Sequence, residues 1–287
     1  MTTALGRTWG WLVVSAAVPA LAAVGASGTF SKDAATFKVA DGFAYEGKAE
    51  FGDEAVIKVR LSAKPLDRKA LEGVIDFKAE LERQLAQGGD GKYVDLEFRK
   101  DGSYTGSSYS LGGRAACGWC GDSKAGSKSK VKVEGTSLRG ALQIQPSDYS
   151  DGKGPTINLT LDLPVATVTG ASPLPATGGA PAQALEACRQ AVKKKDKAAV
   201  KAGCFVPGDP LLAETEDVTD EGFWEVALYD RHSLKLPSLK VTGGRTKGDW
   251  AELQVEGSGP DGKRKGNVYL RKGPAGWRPD HESLHLE

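Results

Sequence analysis

Val168-Thr-Gly-Ala-Ser-Pro-Leu-Pro-Ala-Thr-Gly-Gly-Ala-Pro-Ala182 is built almost wholly from small residues and prolines. A run without an apolar face to bury predicts an interdomain linker over 169–182. It decides the fold because the hydrophobic period differs on its two sides. Period-two segments dominate before it, whereas helical patterns followed by strands come after it. The chain therefore reads as a mainly β domain over 35–168, an antiparallel sandwich or open barrel with one helical insertion. An α+β domain over 183–287 follows, with helices on a curved antiparallel sheet.

Upstream of the run, Ala55-Val-Ile-Lys-Val-Arg-Leu61 alternates, with Ala55, Ile57, Val59 and Leu61 on one face and Lys58 and Arg60 on the other. Tyr93-Val-Asp-Leu-Glu-Phe98 repeats the device, and Asp101-Gly102 supplies the turn into a return strand over Tyr104–Tyr109. Further strands are expected at Lys130–Glu134, Leu138–Ile144 and Ile157–Leu163. The insertion is Asp67–Gln87, whose Leu71, Ile75, Leu81 and Leu85 predict helix, broken at Gly73.

Downstream, Ala184, Leu185, Cys188, Ala191 and Val192 give a first helix its apolar face. Asp196 can N-cap a second that ends near Gly203, and a third is expected from Thr219 to Tyr229. Strands at Ser238–Val241, Trp250–Glu256, Lys265–Arg271 and Trp277–Asp280 close the chain, with turns at Pro260-Asp-Gly-Lys263 and Lys272-Gly-Pro274.

This order of elements resembles the nuclear transport factor 2-like (cystatin-like cone) superfamily, in particular its small exported bacterial members of unknown function. The residues that carry it are the opening helix Ala184–Lys194 with Lys195-Asp196, then Asp249-Trp250-Ala251-Glu252-Leu253-Gln254-Val255. Gly262-Lys263 and the closing Val268–Asp280 with Trp277 complete it. The resemblance covers about 100 residues and implies a cone of helices on a curved sheet. It brings no catalytic signature. Leu61-Ser-Ala-Lys-Pro-Leu66 faintly resembles β modules of exported bacterial proteins that carry no assigned function.

Arg7 precedes the apolar run Trp9–Val18, and small residues follow at Ala20, Ala22, Ala23, Gly25 and Ala26. That order is a signal peptide over 1–26. Ala20-Leu21-Ala22 and Val24-Gly25-Ala26 both fit the peptidase, with the cut expected after Ala26. No cysteine stands directly at the cleavage region, so a lipoprotein acylation site is not expected and the protein is placed in a periplasm or outside the cell. Thirty-eight basic against 37 acidic residues leave no global field for nucleic acid or an anionic membrane. No second apolar stretch reaches membrane length, so insertion after cleavage is not expected.

Chemistry is sparsely written. Cys117-Gly-Trp-Cys120 sits between Gly112-Gly113 and Gly121, which predicts a loop disulfide between strands. Thiol-redox chemistry is the alternative, and Trp119, held between the sulfurs, could be a presented contact. Cys188 and Cys204 form the second candidate pair, stapling the helical hairpin. His232, His281 and His285 are the only histidines. The last two are four apart, but on a terminal segment read as extended and fraying. No metal, cofactor or catalytic residue is assigned, because no hydrolase, metalloprotease, P-loop or dinucleotide motif is present. Trp224, Tyr229, Trp250, Tyr269 and Trp277 are the remaining candidate contacts for a ligand or partner. The sequence thus points to an exported binding or structural protein of a bacterial envelope. Two alternatives stay open: a small-molecule enzyme using the cone pocket, and an envelope-stress protein using Cys117 and Cys120.

Overall fold

In the computed structural model, the described residues are 25–49, 54–87, 91–112, 115–120, 128–215, 218–229 and 231–287, with the backbone alone at 115–120, 210 and 213. Of the expected signal segment over 1–26, residues 1–24 lie outside them. Strand content dominates, in two sheets.

The first sheet holds β1 (Gly25–Lys32), β2 (Ala35–Lys38), β3 (Asp41–Lys48), β4 (Ala55–Ser62), β5 (Tyr93–Phe98), β6 (Tyr104–Ser110), β7 (Ala115–Cys120), β8 (Lys132–Glu134), β9 (Ser137–Ile144) and β10 (Thr156–Ala166). Its strand that begins at Gly25 lies upstream of the 35–168 span read from the sequence, yet pairs with β10 from Gly25 to Ser31. β10 pairs antiparallel with both β1 and β9, then its last two residues run parallel to β3. That third partner curls the sheet into a half-barrel. Its interior is filled by Phe30, Val59, Leu61, Phe98, Leu142 and Ile157, among others.

β4 is buried on both faces, not on one as its alternation suggests. Val59 and Leu61 point into the half-barrel, whereas Arg60, only 1% exposed, points out of it. A charge at that burial needs a partner. Arg60 makes a two-pronged ion pair with Asp95 on β5 and lies 4.4 Å from the centre of the Tyr93 ring. The helical insertion accounts for that covering. It forms α1 (Arg68–Glu72) and α2 (Phe77–Gln87), separated at Gly73 as expected. Asp67 caps α1 by accepting from the Ala70 N–H, and Asp76 accepts from the Ala79 N–H at the start of α2.

The 169–182 run contributes β11 (Ser172–Pro173) and the first turn of α3 (Gly179–Lys193). The helix thus starts five residues before the expected Ala184, since Pro181 tolerates a first turn that needs no N–H donor. α4 (Lys197–Gly203) is capped by Asp196, and α6 (Asp220–Ala227) by Thr219. α5 (Pro210–Glu214) and α7 (His232–Lys235) are short. β12 (Ser238–Lys247), β13 (Trp250–Gly259), β14 (Gly262–Gly273) and β15 (Gly276–Leu286) follow as an antiparallel meander, with β11 on the β12 edge.

One face of this second sheet packs Ala251, Leu253, Val268 and Leu270 against Leu185, Cys188, Val200 and Phe223 of the helices. The other face carries Trp250, buried in a third cluster with Phe43, Tyr45, Leu71, Phe77 and Leu81 from the first sheet and its helices. The two sheets therefore share a packed junction.

Candidate functional site

Strand register assembles a polar row across the second sheet. Arg245 opposes Glu252, Glu252 opposes Tyr269, and Tyr269 opposes His281, so one row crosses β12 to β15. Directly opposed residues share a face, and Tyr269 and Trp250 place this row on the face toward the first sheet. Arg245 pairs with Glu252 at 2.5 Å. Tyr269 and His281 stack with ring centres 4.7 Å apart and planes 10° apart. One row further along, Trp250 opposes Arg271, whose guanidinium lies 5.0 Å from the indole.

His281 carries the polar link to the first half. Its Nδ1 is 2.8 Å from Oδ2 of Asp76, whose side chain is 7% exposed against 35% for the histidine. Asp76 thus does two things at once. Its Oδ1 caps α2, and its Oδ2 faces the imidazole across the junction. Burial disfavours the imidazolium, but Asp76 outweighs it and His281 is raised above the usual histidine value. Burial raises Asp280 beside it, and it raises the phenol of Tyr269 well beyond its ordinary range. A cleft of about 330 Å3 opens at the same junction, with Phe43, Leu71 and Phe77 in its floor and Arg68 and Lys247 among its polar groups.

The arrangement corrects the reading of the histidines. His281 and His285 lie on β15, paired with Tyr269 and Lys265, and not on a fraying tail. Their four-residue spacing on a strand brings no shared metal-facing geometry, and among the described residues no three His, Cys, Asp or Glu side chains are grouped to hold an ion. His232 opens α7.

The proposed contacts separate into distinct groups. Trp250 and Tyr269 belong to the junction. Trp224 and Trp277 pack against the helix–sheet core, Trp224 edge-on to Phe223 at 5.0 Å. Tyr229 is 65% exposed and faces solvent. The side chains of Trp119, Cys117 and Cys120 lie outside the described residues. The backbone there is strand β7, with Cys117 opposite Tyr109 and Cys120 opposite Ser107, so the expected loop is a sheet strand. The expected Cys188–Cys204 bridge is present, with Cα atoms 5.5 Å apart, and ties α3 to the end of α4.

Beside that bridge lies a second polar group that sequence reasoning missed. Arg231 donates to the Cys204 carbonyl and to Asp209, each at 2.7 Å, and stacks 4.8 Å from the Phe205 ring. Arg278 donates to the Phe205 carbonyl, and the Glu282 carboxylate accepts from the Ser233 N–H and hydroxyl. These bonds fix the helices to β15. No sequence signal marked Asp76, Asp209 or Arg231, because each lies far along the chain from its partner.

Among the described residues, no helix is long and apolar enough to cross a membrane. No family model, curated protein or solved structure matches this chain.

Proposed function

We propose that this is an exported protein of the bacterial envelope that works by binding, or by structural support, and not by turnover. The observation that carries the reading is the filled space between helices and second sheet. Leu185, Cys188, Phe223, Leu253 and Leu270 meet there at 0–3% exposure. A cone that turned over a small molecule would hold its pocket between those layers. The polar pairs Asp76–His281 and Arg231–Asp209 instead join elements to one another.

The reading includes two modules, one on each side of 169–182, each with its own core and joined through the third cluster. The second is cone-like, as the superfamily resemblance implies. Export is supported by the Cys188–Cys204 bridge, a bond that persists in oxidising compartments. Strand β1 argues for the upstream cleavage site. Ala26 pairs with Leu161 and packs against the half-barrel core. A cut after Ala26 removes two paired residues, whereas a cut after Ala22 leaves β1 whole.

The test uses protein isolated from its host's envelope. Intact-mass measurement should find a mature chain beginning at Ala23, and a bound partner should survive substitution of His232 or His281. A reaction abolished by one His, Asp or Cys substitution in the folded protein would contradict the binding reading. An intact Met1 would contradict export.

A further inference from the structure

The second sheet has an edge that the chain itself covers only in part. β11 pairs with Thr246 and Arg245 of β12, and the Leu174 N–H donates to the Gly244 carbonyl at 2.9 Å. Pro175 follows, and the chain turns away through Gly178, in the left-handed region at φ 76°, into α3. Further back along β12, Ser238–Val241 pair with Val255–Ser258 of β13. Among the described residues no strand pairs with Ser238–Val241 on their other side. An edge of this kind presents a row of backbone N–H and C=O groups at strand spacing.

Beside that edge runs a groove of about 640 Å3, bounded by β12 and the start of α3. Ala176, Ala182, Leu239 and Val241 supply apolar lining, and Glu186 and Lys240 the charges. Glu186 is already engaged by Arg189 and Gln190, each at 2.6 Å. Lys240 is exposed on the strand itself, across from Glu256 of β13, and no ion pair among the described residues engages it.

These features select the occupant. A helix has used its backbone groups internally, whereas an extended chain matches the free row at about 3.3 Å per residue. Alternate side chains of such a strand fall on the groove side, where the lining is apolar. We propose that Ser238–Val241 and the groove beside α3 accept one extended segment of a protein partner. The segment adds to the sheet in line with β11, with apolar residues at alternate positions and an acidic residue near Lys240. This rests on the binding reading above and gives the partner its chemistry.

Hydrogen exchange on the full mature chain tests it, with an end-capped octapeptide that alternates valine with threonine and glutamate. Amides within Ser238–Val241 should slow about tenfold when the peptide is at roughly ten times its Kd. Ala176→Trp, at an exposed position, should fill the groove and abolish the effect. Lys240→Glu should weaken binding about three- to tenfold, the size of an exposed charge interaction reversed. Unchanged exchange at Ser238–Val241, protection confined to another surface, or full binding by Ala176→Trp would each overturn the assignment. So would a dimer that already protects these amides without peptide, since a second copy would then own the edge. Peptide protection here in a protein that also turned over a substrate would uphold the edge and remove only the binding reading.

Discussion

Replacing Asp76 separates the two tasks of one carboxylate. Asp76→Ala removes a helix cap, a loss of about 1 kcal/mol, and also removes the partner of His281. The His281 side chain is 35% exposed, so solvent screening holds that pair to roughly 0.5–1 kcal/mol. The expected destabilisation is therefore about 2 kcal/mol. Asp76→Asn keeps a capping oxygen and should lose only the smaller part. The pair also has a pH signature. His281 holds its proton more tightly folded than unfolded, so its contribution is complete below about pH 6.5, the unperturbed histidine value. It is lost as pH rises through the elevated native value. A double-mutant cycle of Asp76→Asn with His281→Gln, read by urea unfolding through tryptophan fluorescence, should give a coupling of roughly 0.5–1 kcal/mol at acid pH. At strongly alkaline pH the coupling should approach zero. Equal coupling at both, or none at acid pH, would refute the role given to the pair.

Replacing both Cys188 and Cys204 by alanine should cost about 3 kcal/mol in the chain-entropy model for a loop of this size, read as a lowered Tm in non-reducing buffer. Asp209→Ala leaves the buried Arg231 guanidinium without its counter-charge and should destabilise by about 3–5 kcal/mol in a chemical melt. Exchanging Asp209 and Arg231 together for leucine and methionine should recover most of that loss. Raised carboxyls at Asp280 and Glu282, both held up by burial, are stabilising while protonated and lose that contribution as pH climbs through their native values. Replacing both by their amides should therefore flatten the acid side of the stability–pH curve.

Local patterns were the legible part of this fold. The alternation of Ile57, Val59 and Leu61, the break at Gly73 and the cap at Asp196 all depend on residues within a few positions of one another. The Cys188–Cys204 bridge was equally legible, because its partners close one helical hairpin. β1 and β3 were missed for the same reason in reverse. Gly25-Ala-Ser-Gly28 carries little apolar signal, and its place is set by pairing with β10 more than a hundred residues away. Arg60 looked like an outward charge because nothing near it in the chain reports that Asp95 will meet it. The junction row was invisible for a geometric reason. Arg245, Glu252, Tyr269 and His281 become neighbours only once three hairpins fix their register, and β15 turned a terminal segment into its last member.

The central claim is that this chain holds a partner and does not transform a substrate. Cross-linking mass spectrometry on the protein in its native envelope tests it most directly, using the exposed Lys240 as reporter. One dominant partner should cross-link through Lys240, with a yield severalfold lower in Ala176→Trp and unchanged in His281→Gln. Equal yields from wild type and Ala176→Trp, together with loss of the cross-link in His281→Gln, would contradict it.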